Sequence, residues 1–201
     1  MIRFFLSSIL VLILQSCGSY KPDGLFKEKN STTQNLYFAD EKQEYLYTAL
    51  VQAFGKEITG IIVLKPLGAD THRVVLTTDF GNTLLDLTLN QDGYTKNYAI
   101  PDLDKKIVLN ILSSDFKLLV KQNWTTNAEA LQESQTVYRA KKGNKKYYLS
   151  YQNQELKQLI YAKRKKKVAI DFKVIEHNNA NEIQLQHFNF NLKIELKAIE
   201  M

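Results

Sequence analysis

Apolar and polar residues alternate along most of the chain after about residue 34, with the period of a half-buried β-strand. In the first half this alternation predicts five successive strands. They are Tyr45–Phe54, Glu57–Lys65, His72–Thr78, Thr83–Leu89 and Tyr94–Ile100. Turn residues such as Gly55-Lys56 and Asn90–Gly93 separate them, so we expect an antiparallel meander. Leu36–Phe38 is a candidate for one more short strand before it.

The period changes to that of a helix after Pro101. Asp102 is a suitable N-cap, and apolar residues recur at helical spacing from Leu103 to Leu119. The polar triplet Ser113-Ser114-Asp115 leaves open whether this segment forms one helix or two. Because no helix of comparable length is predicted elsewhere, we expect its apolar stripe to pack against the sheet.

Alternation resumes after an irregular, polar stretch from Asn123 to Glu133 and predicts a second antiparallel meander. Its strands are Gln135–Lys141, Lys145–Tyr151, Leu156–Lys163, Lys167–Ile175 and Glu182–Ile199. In the last of these, apolar residues move from odd to even positions near Gln186-His187. A β-bulge at that point would keep them on one face.

The order of elements therefore predicts a mainly β fold. We expect a strongly curved antiparallel sheet of about eleven strands, a half-barrel, with one or two inserted helices as a lid. No internal repeat or second boundary is apparent, so residues 34–201 are expected to form a single domain. A sheet that curls around one helix is a shape that can enclose an apolar cavity.

The first seventeen residues have the order of a bacterial export signal. One cation, Arg3, precedes an apolar run from Phe4 to Leu14, which is too short to span a membrane. Leu14-Gln15-Ser16-Cys17 resembles the lipobox of bacterial lipoproteins. That resemblance implies a signal peptide over 1–16, cleavage before Cys17, and a lipid-modified Cys17 whose thiol carries diacylglycerol, with fatty acids such as palmitate. The alternative is an ordinary secretory signal with a chance cysteine.

The lone cysteine favours acylation, because a single exported thiol has no partner for an internal disulfide. Residues 17–33 are rich in Ser, Lys, Asn and Thr and predict a flexible tether. Removal of the signal takes away only Arg3 among the charged residues and lowers the net charge from +6 to +5. We therefore expect a basic domain held at a membrane through its lipid.

Several segments of the first meander and the helix resemble a known family. They are Gly60–Lys65, His72–Leu76, Phe80–Asp86 and Asp115–Leu119. With the lipobox before them, they are similar to envelope lipoproteins of the Lol fold, the family of the carrier LolA and the lipoprotein receptor LolB. The resemblance implies a noncatalytic protein that binds lipids or lipoproteins at the periplasmic face of the outer membrane.

A LolB-like role implies acyl chains held in the half-barrel beside the helix. Candidate residues for lining such a site lie on strands expected to face inward and on the helix. They are Leu84, Leu85, Leu87, Val168, Ile170, Phe172, Phe188, Phe190 and Leu192, with Ile107, Ile111 and Leu118 on the lid. Periodicity does not separate a cavity lining from a filled core, because both place apolar side chains on the same face.

The basic residues are concentrated in one part of the chain. Between Arg139 and Lys173 there are twelve basic residues and two acidic ones. The runs Lys141–Lys146 and Lys163–Lys167 each border a strand end, so both are expected at sheet rims, the same rim or opposite ones. The candidates for membrane contact are Lys163, Arg164, Lys165, Lys166 and Lys167, together with Leu67, which matches a protruding apolar loop residue of the receptor in position.

Two other interpretations stay open for these features. The lysines also suit a solvated face that blocks strand-to-strand aggregation, and Leu67 also suits a place under its own hairpin. The whole domain is alternatively an envelope interaction module, with a filled core and a basic rim that binds a partner protein or an anionic glycan. Nucleic acid is not expected, since no nucleic-acid-binding motif accompanies the charge.

The sequence offers little support for catalysis. The three histidines, His72, His177 and His187, are spaced irregularly for a metal site, and no nucleophile motif lies near them. Acidic pairs such as Asp79 and Asp86 arise readily by chance among 21 acids. We therefore expect no enzymatic activity, no metal and no cofactor, and a monomeric protein whose partners are the membrane and acyl chains or lipoproteins.

Overall fold

The computed structural model describes residues 19–53, 55–68, 70–176 and 179–199. The predicted signal peptide over 1–16, the predicted acylation site Cys17 and His177 lie outside the described residues. In the described part of the chain the strands are β1 (Lys27–Gln34), β2 (Tyr45–Ala53), β3 (Lys56–Gly68), β4 (Thr71–Thr77), β5 (Thr83–Leu89), β6 (Tyr94–Ala99), β7 (Asn123–Leu131), β8 (Thr136–Lys142), β9 (Lys145–Gln152), β10 (Glu155–Ala162), β11 (Lys166–Glu176), β12 (Asn179–His187) and β13 (Leu192–Ala198). One helix, α1 (Lys106–Val120), is also described.

All thirteen described strands belong to one antiparallel sheet, in the order β1-β7-β8-β9-β10-β11-β12-β13-β2-β3-β4-β5-β6. The prediction of a mainly β fold built from two antiparallel meanders is confirmed. β13 pairs with β2, with Leu192 opposite Ala53, and this pairing joins the two meanders. β1 and β6 form the two ends of the order, so the sheet is open.

The predicted number of about eleven strands is too low. Lys27–Gln34 forms β1 and pairs with β7, although residues 17–33 are predicted to be a flexible tether. Its sequence contains no apolar residue, because an edge strand exposed on both faces needs none. The stretch predicted to be irregular forms β7, whose buried positions hold Trp124, Thr126, Ala128 and Ala130. Buried and exposed positions alternate along β7, but most of the buried positions hold small or polar residues, so the sequence does not show an apolar alternation there.

The last predicted strand is two strands. β12 ends at His187 and β13 begins at Leu192, so the change of phase in the alternation marks a turn at 188–191 and no bulge. Phe188 and Phe190 were predicted to continue the inward face, but they lie in this turn, and Phe188 is exposed. Leu36–Phe38 does not form a strand.

The helix is continuous through Ser113-Ser114-Asp115 and begins after Lys105, three residues beyond the predicted N-cap Asp102. Ser113 remains within it because its hydroxyl donates to the carbonyl oxygen of Asn110, 3.2 Å away. Tyr94 of β6 bonds Asn110, and His187 of β12 bonds Asp115. The helix thus contacts strands that are far apart in the sheet order, so the sheet curves around it.

Candidate functional site

The inner face of the sheet, defined here as the face that packs against α1, is almost entirely apolar. The helix contributes a row of buried side chains at Leu109, Leu112, Phe116 and Leu119. These positions are three and four residues apart, which places them on one side of a helix. They pack against one large cluster that includes residues from both meanders. The helix therefore covers part of an apolar surface to which both meanders contribute.

Most of the predicted lining residues lie in this cluster. Leu85, Leu87, Leu118, Val168, Ile170, Phe172 and Leu192 are buried, and Leu84, Ile111 and Phe190 are partly buried against it. Ile107 is 70% exposed and Phe188 is 48% exposed. Ile107 therefore does not face the sheet, and the inner row of the helix is the one that begins at Leu109. The spacing of Leu109, Leu112, Phe116 and Leu119 was present in the sequence.

Phe172 is packed closely in this structure. It is 2% exposed, and the centre of its ring lies 4.9 Å from the ring centre of Tyr37. The Tyr37 hydroxyl donates to the carbonyl oxygen of Leu156 at 2.8 Å, which holds Tyr37 in place. Phe172 therefore lies beneath a fixed side chain that belongs to the segment before β2.

That segment, residues 35–38, crosses one end of the inner face. Asn35 is fully buried, and its amide donates to the carbonyl oxygen of Leu119 at 3.0 Å, at the end of α1. The carbonyl of Phe38 bonds the His72 ring nitrogen at 3.2 Å, and burial lowers the pKa of His72. A neutral His72 is therefore favoured, and residues 35–38 connect the helix to β4.

A buried polar pair connects the helix to β12. Nε2 of His187 lies 2.8 Å from Oδ2 of Asp115, and both side chains are almost completely buried. Burial raises the pKa of Asp115, and the hydrogen bond and charge of His187 oppose that shift. Nδ1 of His187 is buried without a hydrogen-bond partner among the described groups. The pair was absent from the sequence prediction, because no local pattern connects residues 72 positions apart.

Two clefts on the described part of the molecule lie away from the inner face. One, of about 460 Å³, is lined by polar residues around the β7–β8 turn, with Leu36, Tyr138 and Tyr151. Another, of about 420 Å³, lies beside Tyr20, Gln158 and Asp171. None of the predicted acyl-lining residues lines either cleft. In this structure, α1 and residues 35–38 occupy the inner side of the sheet.

The two basic runs lie side by side. Lys146 at the start of β9 is the register partner of Ala162 at the end of β10. The β8–β9 and β10–β11 turns therefore occupy the same rim of the sheet. We call this the basic rim and define it by Lys142, Lys145, Lys146, Lys163, Arg164, Lys165, Lys166 and Lys167.

By strand direction, Leu67 is at the rim of the sheet opposite to the basic rim. The β12–β13 turn is at the basic rim, because the backbone amide of Phe188 donates to the carbonyl oxygen of Lys167. Leu192, next to that turn, pairs with Ala53 of β2, and Ala53 pairs with Lys56 at the start of β3. The start of β3 is therefore on the side of the basic rim, and Leu67, near its end, is on the other. Leu67 is 49% exposed, so it is not tucked under its own hairpin.

Lys117 in the last turn of α1 and Lys121 directly after it extend the positive charge toward the β8–β9 turn. Burial lowers the pKa of Lys117, and Lys142 and Lys145 lower it further. Burial also lowers the pKa of Lys121, and Lys142 again adds to the shift. The Lys117 ammonium donates to the carbonyl oxygen of Gln91 at 2.9 Å. The C-terminal end of α1 is therefore a positively charged region close to the basic rim.

Among the described residues, no group of three or more His, Cys, Asp and Glu side chains is arranged to hold a metal ion. Within the same residues, no helix has the length and apolar character needed to cross a membrane.

The sheet resembles that of a LolA superfamily protein. The crystal structure of that protein, from Nitrosomonas europaea, is similar to this chain over 78% of this chain and 83% of the other, with 5% sequence identity and a TM-score of 0.48. No protein-family model matches the chain, and no curated protein matches it.

Proposed function

We propose that this protein is a noncatalytic, lipid-anchored protein of the cell envelope that binds acyl chains of lipids or lipoproteins, with a role like that of LolB. In this proposal Cys17 carries the anchor and the protein faces the periplasm from the outer membrane. An acyl chain enters between α1 and the inner face of the sheet. The observation that carries the proposal is the apolar inner face, which a single helix covers.

The helix is joined to the rest of the domain by few polar contacts. His187 bonds Asp115, Tyr94 bonds Asn110, Asn35 bonds the carbonyl of Leu119, and Lys117 bonds the carbonyl of Gln91. The backbone hydrogen bonds of the sheet run between strands and do not include the helix. Displacement of α1 therefore exposes apolar surface without breaking the sheet, which is the change that a lid requires.

The energies of such an exchange are of similar size. Burial of one methylene contributes about 0.8 kcal/mol, so a chain with about a dozen buried methylenes gains on the order of 10 kcal/mol. The buried apolar side chains of α1 are Leu109, Leu112, Phe116, Leu118, Leu119 and Val120. Removing these six costs about 1.5–3 kcal/mol each, or about 9–18 kcal/mol in total. An acyl chain can therefore offset much of the cost of displacing the helix.

A second candidate function is an envelope interaction module with a filled core. The observation that favours it is the close packing of Phe172 under Tyr37, with the helix already occupying the inner side. In that case the inner face only stabilises the fold, and binding takes place at the surface. The basic rim would then bind a partner protein or an anionic glycan.

Native mass spectrometry and titration with a fluorescent fatty acid separate the two functions. The protein carries Cys17→Ala and is purified without detergent, so that neither an anchor nor a detergent molecule supplies the signal. A carrier is expected to co-purify with lipid and to bind the probe at one or a few sites. No bound lipid and no probe binding would leave the interaction module as the function.

A pair of helix variants tests the position of the acyl site. Phe116 is on the inner row of α1, and Ile107 is exposed on the same helix. Phe116→Trp is expected to reduce probe uptake, whereas Ile107→Trp leaves it unchanged. Thermal unfolding of both variants shows that each is folded. Equal uptake by the two variants would place any bound probe away from the inner face.

A further inference from the structure

The segment from Ser19 to Phe26, predicted as a tether, is bound to the outer face of the sheet. We call it the strap. The rings of Tyr20 and Phe26 both pack edge-on against Tyr148, with ring centres 5.9 and 5.7 Å away. Beneath them lies a second, smaller apolar cluster on the face opposite to α1. That cluster contains Ala130, Val137, Tyr148, Ile160, Ala162 and Ala169.

Hydrogen bonds hold the strap along its length. The Tyr148 hydroxyl donates to the backbone carbonyl oxygen of Tyr20 at 3.0 Å. The side-chain amide of Gln132 donates to the backbone carbonyl oxygen of Asp23 at 2.7 Å. Gln132 belongs to the β7–β8 turn, at the rim opposite to the basic rim. The strap therefore crosses the outer face from one rim to the other before β1 begins.

The strap starts at the basic rim itself. The backbone amide of Tyr20 donates to the carbonyl oxygen of Arg164 at 2.9 Å. The Ser19 hydroxyl donates to the carbonyl oxygen of Lys163 at 3.3 Å and accepts from the Lys146 ammonium at 2.7 Å. Cys17 is two residues earlier, and two extended residues span at most about 7 Å. An anchor on Cys17 therefore leaves the domain at its basic rim.

The cations of this rim have no carboxylate partners among the ion pairs that the described residues form. Asp171, the acid nearest in sequence, accepts a hydrogen bond from Gln158 at 2.6 Å. The charge of the rim is therefore available to an external anion.

An exposed aromatic residue accompanies the charge. The Lys166 ammonium lies 4.3 Å from the ring centre of Phe188, in the β12–β13 turn, and Phe188 is half exposed. The backbone amide of Phe188 donates to the carbonyl oxygen of Lys167 at 2.9 Å, so the two turns are joined. Lysines beside an exposed aromatic ring suit the interface of a bilayer, where head groups carry charge and the region below is apolar.

We infer that the basic rim is a docking surface for an anionic phospholipid bilayer, and that the strap fixes the domain with this rim against the membrane. The part of this inference that concerns Cys17 rests on the lipid anchor of the proposed function. The rim itself is a binding surface with or without the anchor. The opposite rim of the second meander, at the β7–β8 turn, then faces away from the membrane that carries the anchor.

The docking surface is tested in the Cys17→Ala protein, where no anchor contributes. Vesicles of phosphatidylcholine with and without phosphatidylglycerol are compared. Binding to the anionic vesicles is expected, and neutralising Lys163 and Lys165 to Gln is expected to weaken it on the order of tenfold, less at high salt. The matched control neutralises Lys27 and Lys42, which are exposed and outside the rim. The docking surface is wrong if the rim variant and the control variant lose vesicle binding equally. It is also wrong if the Cys17→Ala protein does not bind the anionic vesicles.

Orientation is tested with single labels, because the chain contains one cysteine. A fluorophore is attached through Asn144→Cys at the basic rim or Ser134→Cys at the opposite rim, both exposed turn positions. The vesicles contain a lipid with a nitroxide in its head group. Quenching of the label at 144 and little quenching at 134 is the expected result, and equal quenching at the two positions overturns the orientation.

The strap is tested in the acylated protein with the same two labels. Tyr20→Ala with Phe26→Ala removes both rings from Tyr148, whereas Leu25→Ala changes a strap residue that is 77% exposed. At high salt, which weakens binding through the rim, the double variant is expected to lose the difference in quenching, and the Leu25 variant to keep it. Mass spectrometry of the same sample reports acylation. If the otherwise unchanged protein is acylated but shows equal quenching at the two labels, the docking orientation is wrong and the lipid anchor stands. If the protein binds vesicles through the rim but carries no lipid, the anchor is wrong and the docking surface stands.

Discussion

Asp115 and His187 form the buried polar contact between α1 and β12, with 2.8 Å between Oδ2 and Nε2. Two nearly buried polar side chains in an otherwise apolar interface are costly unless they satisfy each other. The contact therefore fixes the position of the helix on the sheet. It is also the place where protonation can change how firmly the helix is held.

Asp115→Ala leaves His187 without its partner. We expect a loss of about 1–3 kcal/mol in the free energy of unfolding, because a buried polar group is then left unsatisfied. Asp115→Asn retains an oxygen that accepts from Nε2 and should cost less. Denaturant titrations of the two variants and the wild type measure the difference. Equal destabilisation by Ala and Asn would mean that the hydrogen bond contributes little.

The pH dependence of stability follows from the raised pKa of Asp115. A carboxyl whose folded pKa exceeds its unfolded value binds protons more tightly when folded. Its contribution to stability is complete below the ordinary Asp pKa and is lost as the pH rises through the raised folded value. The difference in unfolding free energy between wild type and Asp115→Asn should therefore change with pH in that window. A constant difference would contradict the raised pKa.

Phe172→Trp tests how tightly the inner face is packed. Because Phe172 is buried against Tyr37, the larger ring must displace it, and we expect a loss of about 1–3 kcal/mol. Phe188→Trp, at an exposed position, should change stability little and serves as the control. Little effect of Phe172→Trp on the denaturation midpoint would indicate space beside Phe172 and would favour the carrier.

Gly60→Ala should disrupt the pairing of β3 with β4. A Cβ at position 60 would lie 1.9 Å from the carbonyl oxygen of Thr77, and a backbone atom cannot move away as a side chain tip can. We expect destabilisation of about 1–3 kcal/mol or more, as for other overpacked sites. Gly93→Ala, where nothing lies within 4 Å of the added Cβ, is the matched control. Thermal unfolding compares the two proteins.

Cys17→Ala is expected to leave the domain folded and to release it from the anchored fraction. The variant is exported behind an ordinary secretory signal peptide, so that an uncleaved lipoprotein signal does not hold it in a membrane. Fractionation after a high-salt wash then removes binding through the basic rim as well. A variant that stays in the washed membrane pellet would show that Cys17 is not the anchor.

The sequence by itself determined the parts of the fold in which apolar residues repeat. Alternation located β2 to β6 and most of the second meander, and helical spacing located α1. Burial of one face of a strand or helix requires apolar residues at regular intervals in the sequence. The same record placed Leu85, Leu87, Ile170 and Phe172 on one buried face. The acylation of Cys17 and the family resemblance stay predictions.

Only the tertiary structure decided the elements whose partners are distant in the chain. β1 has no apolar residue and forms because its backbone pairs with β7, whose residues are 89 to 102 positions away in the chain. The strap lies on the outer face because Tyr20 and Phe26 pack against Tyr148. The basic runs share a rim because β9 pairs with β10. Asp115 meets His187 for the same reason. Local periodicity records whether a side chain is buried, whereas its neighbours depend on strand pairing and curvature across the whole sheet.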